Sequence, residues 1–259
     1  MPDHSPLIVI PGIQGRWEWM RPTVAALSGR RDVRTFSLDV DDGHPDSFEA
    51  WAAEIDRLID ATGGRRATLV AVSFGGLVGV HYAARRPDRV RALVLASSPS
   101  PRMALGAWER RLIAHPRLLL PLFGLRGLQR LLPEVWAAHD SVGARLSFMA
   151  RHGWEVLRRP MSPKQSARWV RTWQDRQAEL LAACARVTAP TRILIGEPAL
   201  DRVVPTHSSL DYLQLIAGAT VATLPRTGHI GLVSRPGAFA ALVNEFLDDL
   251  DDSRTCRTA

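Results

Sequence analysis

The chain has 259 residues, 46% hydrophobic and 23% charged, enough for one large α/β domain or a domain carrying an insertion, and no uninterrupted apolar run nears the roughly 18 residues of a membrane span. Its formal charge is +7, and Lys164 is the only lysine among 33 basic residues, a bias that genome base composition accounts for. The excess lies in residues 101–190, with 15 basic and 6 acidic side chains, but arginines interleaved with Leu and Trp and lacking a recognition motif do not make a nucleic-acid surface.

At the N-terminus Met1-Pro2-Asp3-His4-Ser5-Pro6 has neither the basic region nor the apolar stretch of a secretory leader. Leu7-Ile8-Val9-Ile10 predicts a short buried strand ended by Pro11-Gly12, followed by a helix over 20–27 and a second strand over 33–38. Ser47 opens a helix running to about 61, with Trp51, Ile55, Leu58 and Ile59 on one face, and Gly63-Gly64 ends it. A strand over 69–72, a helix over 75–85 and a continuously apolar strand over 90–96 come next. Apolar strands alternating with helices predict a mostly parallel sheet covered on both faces. The alternation then stops. Residues 101–186 hold helix-like runs broken at Pro116, Pro121, Pro133 and Pro160, with five of the eight tryptophans and no convincing strand. The sheet resumes at 191–195, with a helix near 208–216, a strand over 220–224 and a last helix over 238–250. These patterns divide the chain into a core of 1–100 and 187–250, a helical insertion of 101–186 and a frayed polar tail of 251–259. Cys184 and Cys256 stand isolated, so no disulfide is expected and a reducing cytoplasm is the expected compartment.

Ser73 carries the first chemical signal. It follows the apolar run Leu69-Val70-Ala71-Val72 and precedes a helix-spaced run of Leu77, Val80, His81 and Ala84. On such a strand-to-helix turn a nucleophile is held in a strained conformation that pushes its Oγ clear of the sheet. The turn demands small residues two before and two after, and Ala71 and Gly75 stand there. Asp201 and His229 follow in chain order, and the order nucleophile, acid, histidine is that of one serine-hydrolase sheet and differs from the others. From about Leu7 to Leu250 the chain resembles the α/β-hydrolase family, in its single-domain, cofactor-free branch of small esterases, lactonases and carbon–carbon hydrolases.

The resemblance implies that His229, in Arg226-Thr227-Gly228-His229 at the carboxyl end of a strand, is the base, and that Asp201 is the acid orienting it. Two extra residues in Gly196-Glu197-Pro198-Ala199-Leu200-Asp201 make Glu197 a competitor, although the spacing from Asp201 to Val204-Pro205 is kept. Ser97 and Ser98 occupy the position where some relatives carry the acid. The backbone N–H groups of Phe74 and of Ile13, the latter in Pro11-Gly12-Ile13-Gln14-Gly15 with Pro11 where the family has histidine, are the implied oxyanion donors. Residues 101–186 become a cap over the site. His81 and His44 are expected to be structural. No His-Glu-x-x-His, clustered cysteines or Gly-rich phosphate loop is present, so neither metal nor cofactor is expected.

The implied activity is cleavage of a small-molecule carboxylic ester or related acyl bond. Carbon–carbon hydrolysis or lyase chemistry on the same residues is the alternative, and a non-catalytic ligand-binding protein is the rival of another class. In the cap, Leu118-Leu119-Leu120, Leu122, Phe123, Leu125, Leu128, Leu131 and Leu132 are interleaved with Arg117, Arg126 and Arg130. Such a face can pack the cap, line a substrate tunnel or rest weakly on an anionic membrane surface.

Overall fold

A computed structural model describes residues 5–38, 46–116 and 120–258. Six strands form one parallel sheet in the order β2-β1-β3-β4-β5-β6: β1 Leu7–Ile10, β2 Val33–Thr35, β3 Ala67–Val72, β4 Val90–Ala96, β5 Thr191–Ile195 and β6 Thr220–Thr223. Successive side chains of a strand point to opposite faces, and here both faces are apolar. Ile8, Ile10, Leu69, Ala71, Leu93, Leu95 and Ile193 face one layer of helices, while Leu7, Val9, Val70, Val72, Ala92, Val94 and Leu194 face the other. Two-sided burial explains the uninterrupted apolar runs.

The first layer contains α2 (Ser47–Asp60), α3 (Gly75–Arg85) and α8 (Gln177–Cys184). Helix α2 starts where the Asp46 carboxylate accepts the N–H groups of Phe48 and Glu49, and it buries Phe48, Trp51, Ala52, Ile55 and Ile59 at helical spacing. The second layer contains α1 (Arg21–Ser28), α11 (Gly231–Ser234) and α12 (Pro236–Thr258). Two short helices, α9 (Thr206–Leu210) and α10 (Tyr212–Leu215), connect β5 to β6.

Between β4 and β5 lie α4 (Ala107–Ala114), α5 (Leu120–Ala138), α6 (Val142–Arg158), α7 (Pro163–Asp175) and α8. The span 101–186 divides physically, because Leu180, Ala183 and Cys184 of α8 join the core beside α3. Helix α7 starts at Pro163, with Ser162 Oγ accepting the Gln165 N–H, and buries Trp169 and Trp173. Trp169 stacks on Phe74 at 6.4 Å and meets Trp51 edge-on at 5.4 Å, so the insertion reaches the residue next to Ser73.

Residues 251–258, expected as a polar tail, lie in α12, which runs to Thr258. The reason lies in β4, where Arg91, 1% exposed, ion-pairs with Asp251. A buried guanidinium needs a counter-charge, and the last helix is long enough to bring one. The expected strand over 33–38 also closes early, at Thr35, and Leu38 N–H donates instead to Gly15 O at 2.9 Å. We expect Asp251→Asn to lower the unfolding free energy by about 2 kcal/mol, since it leaves a buried charge less compensated. Urea titration checks this, and a tail without a structural role would leave the midpoint unchanged.

Candidate active site

The sheet's carboxyl edge gathers the candidate residues. Ser73 joins β3 to α3 with φ at +51°, a left-handed conformation rare for a non-glycine residue. It is held there by its own N–H, which donates to Ala96 O of β4 at 2.8 Å, and by its carbonyl, which accepts the Gly76 N–H at 2.8 Å. Gly75 makes the turn possible, because a Cβ at that position would lie 2.5 Å from Pro11 O and 2.8 Å from Ile10 O. The β1 turn therefore presses directly on the start of α3. Among the described residues neither the Ile13 nor the Phe74 N–H donates to a backbone carbonyl, while Ile13 O accepts from Ser166 Oγ of α7 at 3.1 Å.

His229 precedes α11 and places Nε2 3.1 Å from Ser73 Oγ. Its Nδ1 faces Asp201 Oδ2 at 3.4 Å, within ion-pair range but without the alignment of a hydrogen bond. Asp201 is buried, and its Oδ1 accepts the N–H groups of Val203 and Val204 at 3.1 and 3.0 Å, which leaves Oδ2 to the imidazole. The two extra loop residues are absorbed in a turn, with the Leu200 and Asp201 N–H groups donating to Glu197 O. Glu197 itself faces elsewhere, accepting the Arg226 N–H at 2.6 Å. Gly196 and Gly228 let the two loops touch, since a Cβ on Gly228 would sit 2.5 Å from the Leu200 carbonyl group.

Sequence reasoning missed one residue here. Glu134 of α5 is fully buried against the His229 loop, and its Oε2 accepts the Ile230 N–H at 3.0 Å. The Gly228 N–H, His229 and Asp201 also act on this carboxyl, but burial dominates and pushes its pKa up to about 7. Its Oε1 has no hydrogen-bond partner among the described residues. The signal was available: Gly127, Leu131 and Glu134 recur at i, i+4 and i+7, and a carboxylate on an apolar inward stripe is an anomaly. A second tie runs from Arg226, itself at φ +63°, whose Nε donates to Ala137 O at 2.8 Å and whose guanidinium pairs with Asp140.

Ser73 and His229 open into a cavity of about 500 Å³ walled by Trp19, Leu128, Leu131, Val156, Leu157 and Met161, with Gln14 and His152 among its few polar side chains. No Arg or Lys lines it among the described residues. His152 stacks on Phe148 at 5.5 Å, and burial holds its pKa below the ordinary value, so it favours the neutral form. A smaller cavity of about 210 Å³ lies beyond Ile13, walled by Leu105, Leu112, Ile113 and Val170, and Met161 borders both. In the leucine–arginine run, Leu128 and Leu131 line the larger cavity, whereas Arg117, Leu118 and Leu119 lie outside the described residues, as does His44. Ser97, at φ +44°, brings no carboxylate to the end of β4. His81 is buried behind the site, with Nε2 2.8 Å from Glu49 Oε1.

Residues 7–242 match the family model described as "Alpha/beta hydrolase family". The chain belongs to the alpha/beta hydrolase family. It is 29% identical over 212 residues to the 2-hydroxymuconate semialdehyde hydrolase of Pseudomonas sp. (strain CF600), covering 78% of this chain and 69% of that protein. Among solved structures it resembles MenH from S. aureus, with a TM-score of 0.73 at 22% identity over 96% of this chain and 95% of that one. The enol-lactonase from Burkholderia xenovorans LB400 gives a TM-score of 0.70 at 22% identity, over 94% and 92%. At such identities the structural matches speak for the fold, and the family match establishes a hydrolase.

Glu134 gives stability a definite pH dependence. Its folded pKa, about 7, lies above the ordinary 4.5, so the fold favours the neutral acid. That contribution is complete below pH 4.5 and is lost as pH rises through 7. The shift corresponds to about 3 kcal/mol at most. Glu134→Gln keeps an acceptor for Ile230 without the charge. Its stability relative to wild type should therefore improve by roughly 2 kcal/mol between pH 5 and pH 8, read from urea midpoints. A pH-independent difference would place the charge penalty elsewhere.

Proposed function

We propose that this hydrolase cleaves a carboxylic ester or related acyl bond through Ser73, His229 and Asp201. The observation that carries the reading is the 3.1 Å approach of His229 Nε2 to Ser73 Oγ at a strained strand-to-helix turn. A serine hydroxyl is a weak nucleophile until a base within hydrogen-bonding reach takes its proton. In this reading Ser73 Oγ attacks the carbonyl carbon as its proton passes to Nε2. The same nitrogen then returns the proton to the leaving oxygen. Water, activated by Nε2 in turn, hydrolyses the acyl-enzyme. Asp201 keeps the Nδ1 proton in place and stabilises the imidazolium. The amides of Ile13 and Phe74 hold the developing oxyanion, each contributing about two to three powers of ten in rate. The helices over the site, α4 to α7, act as a cap that excludes water.

The cavity supports a neutral, apolar acyl group. A carbon–carbon hydrolase acting with the same residues is the second reading, favoured by the relative whose name specifies a muconate semialdehyde. A muconate-type substrate carries a carboxylate, and among the described residues the cavity lining offers it neither Arg nor Lys. That observation favours the ester. The non-catalytic reading leaves the placement of Ser73, His229 and Asp201 without a purpose.

Ser73→Ala and His229→Ala should each abolish turnover of p-nitrophenyl esters with circular dichroism unchanged, and the double variant should be little worse than either. Retained activity in folded Ser73→Ala would overturn the mechanism. Asp201→Asn should cut kcat by about three to four powers of ten through the wrong imidazole tautomer, whereas Glu197→Gln should cost under tenfold. Reversed effects would transfer the acid role to Glu197. A panel pairing neutral acyl esters with dienoate ketones separates the two chemistries.

A further inference from the structure

The outward face of α6 is unlike the rest of the surface. Val142, Leu146, Trp154 and Leu157 are 64%, 59%, 59% and 76% exposed. At 100° per residue all four fall within a 120° stripe, on a helix whose opposite side carries Phe148 and His152 toward the protein. Across the groove, Leu128 and Trp136 of α5 are each 49% exposed. Leu128 and Leu157 also line the cavity that holds Ser73, so the apolar patch runs without a break into the mouth of the site.

Arginines line both margins of the stripe, and the exposed Asp140 in the turn before α6 is paired with Arg226. Arg145 flanks one edge of the stripe, its guanidinium 5.4 Å from the Trp136 ring centre. Arg151 and Arg158 flank the other, Arg158 lying 5.7 Å from the Trp154 ring centre. The one carboxylate of α6, Glu155, turns toward Arg21, 4.0 Å away on the protein side. An apolar stripe containing tryptophan, with arginines along both margins, is the arrangement of a helix that lies in a lipid interface. A second copy fits poorly, because pairing two such stripes sets arginine margins against each other with no acid between them.

We propose that the α5–α6 face docks this protein on an anionic lipid surface, with the mouth of the Ser73 cavity turned toward the membrane. Docking needs no catalysis. The further idea that it feeds apolar esters to the cavity rests on the serine-hydrolase reading. The test is sedimentation of the full chain with vesicles of equal phosphatidylglycerol and phosphatidylcholine, against phosphatidylcholine alone, at about 50 and 500 mM salt. Binding should appear with the anionic vesicles and fall severalfold at the higher salt. The Leu146→Ser/Trp154→Ser and Arg151→Glu/Arg158→Glu variants should each lose most of it while hydrolysing a short soluble ester at the wild-type rate. Analytical ultracentrifugation accompanies the assay. Absence of vesicle binding at low salt overturns the proposal, as does equal binding by the variants. A dimer that Leu146→Ser/Trp154→Ser dissociates overturns it in favour of self-association. Because no turnover is measured in the binding step, its failure leaves the hydrolase reading standing, and an inactive but vesicle-bound protein does the reverse.

Discussion

The site depends on a steric constraint. At the end of β3 the chain must turn into α3 with no room for a side chain at Gly75, because the carbonyls of Ile10 and Pro11 press against it. That pressure and the hydrogen bond from Ser73 N–H to Ala96 O hold Ser73 at φ +51°. A strained residue persists only where its surroundings over-determine it. Here β1, β3 and β4, the buried centre of the sheet, supply the surroundings. The hydroxyl is thus positioned by the buried centre of the sheet.

The histidine side is built differently. His229 and Asp201 come from loops beyond β6 and β5, toward the sheet's edge, and are joined through the Gly196–Gly228 contact and the brace from Glu197 to Arg226. Further support comes from α5, through Glu134 and through Arg226 to Ala137 and Asp140. The Ser73 hydroxyl is therefore set by the core, while the imidazole is set partly by the insertion.

Much of this was legible in the chain. Two-sided burial writes itself as continuous apolar runs, so five of the strands read within a residue or two, and Ala71 and Gly75 marked the turn at Ser73. His229 and Asp201 were singled out by the resemblance to the family, and the fold sets them beside each other, Nδ1 3.4 Å from Oδ2. What stayed hidden was set by distance. Asp251 becomes structural only because Arg91, remote in sequence, is buried in β4. Glu134 meets the His229 loop across a long separation, and nothing local distinguishes it from a solvated helix position except its stripe. Likewise, nothing in the sequence singled out the apolar residues of α6, and their exposure is decided by how the helices pack.

The double tie between α5 and the His229 loop has a mechanical consequence. Any outward swing of α5 must pull on the Ile230 amide through Glu134 and on Arg226 through Ala137 and Asp140, and both flank the imidazole in sequence. The ring of His229, whose Nε2 lies 3.1 Å from Ser73 Oγ, sits between these two anchored residues. The His229 loop and α5 therefore form one mechanical unit, and the 3.1 Å spacing of Nε2 and Ser73 Oγ is set from the insertion as well as from the sheet.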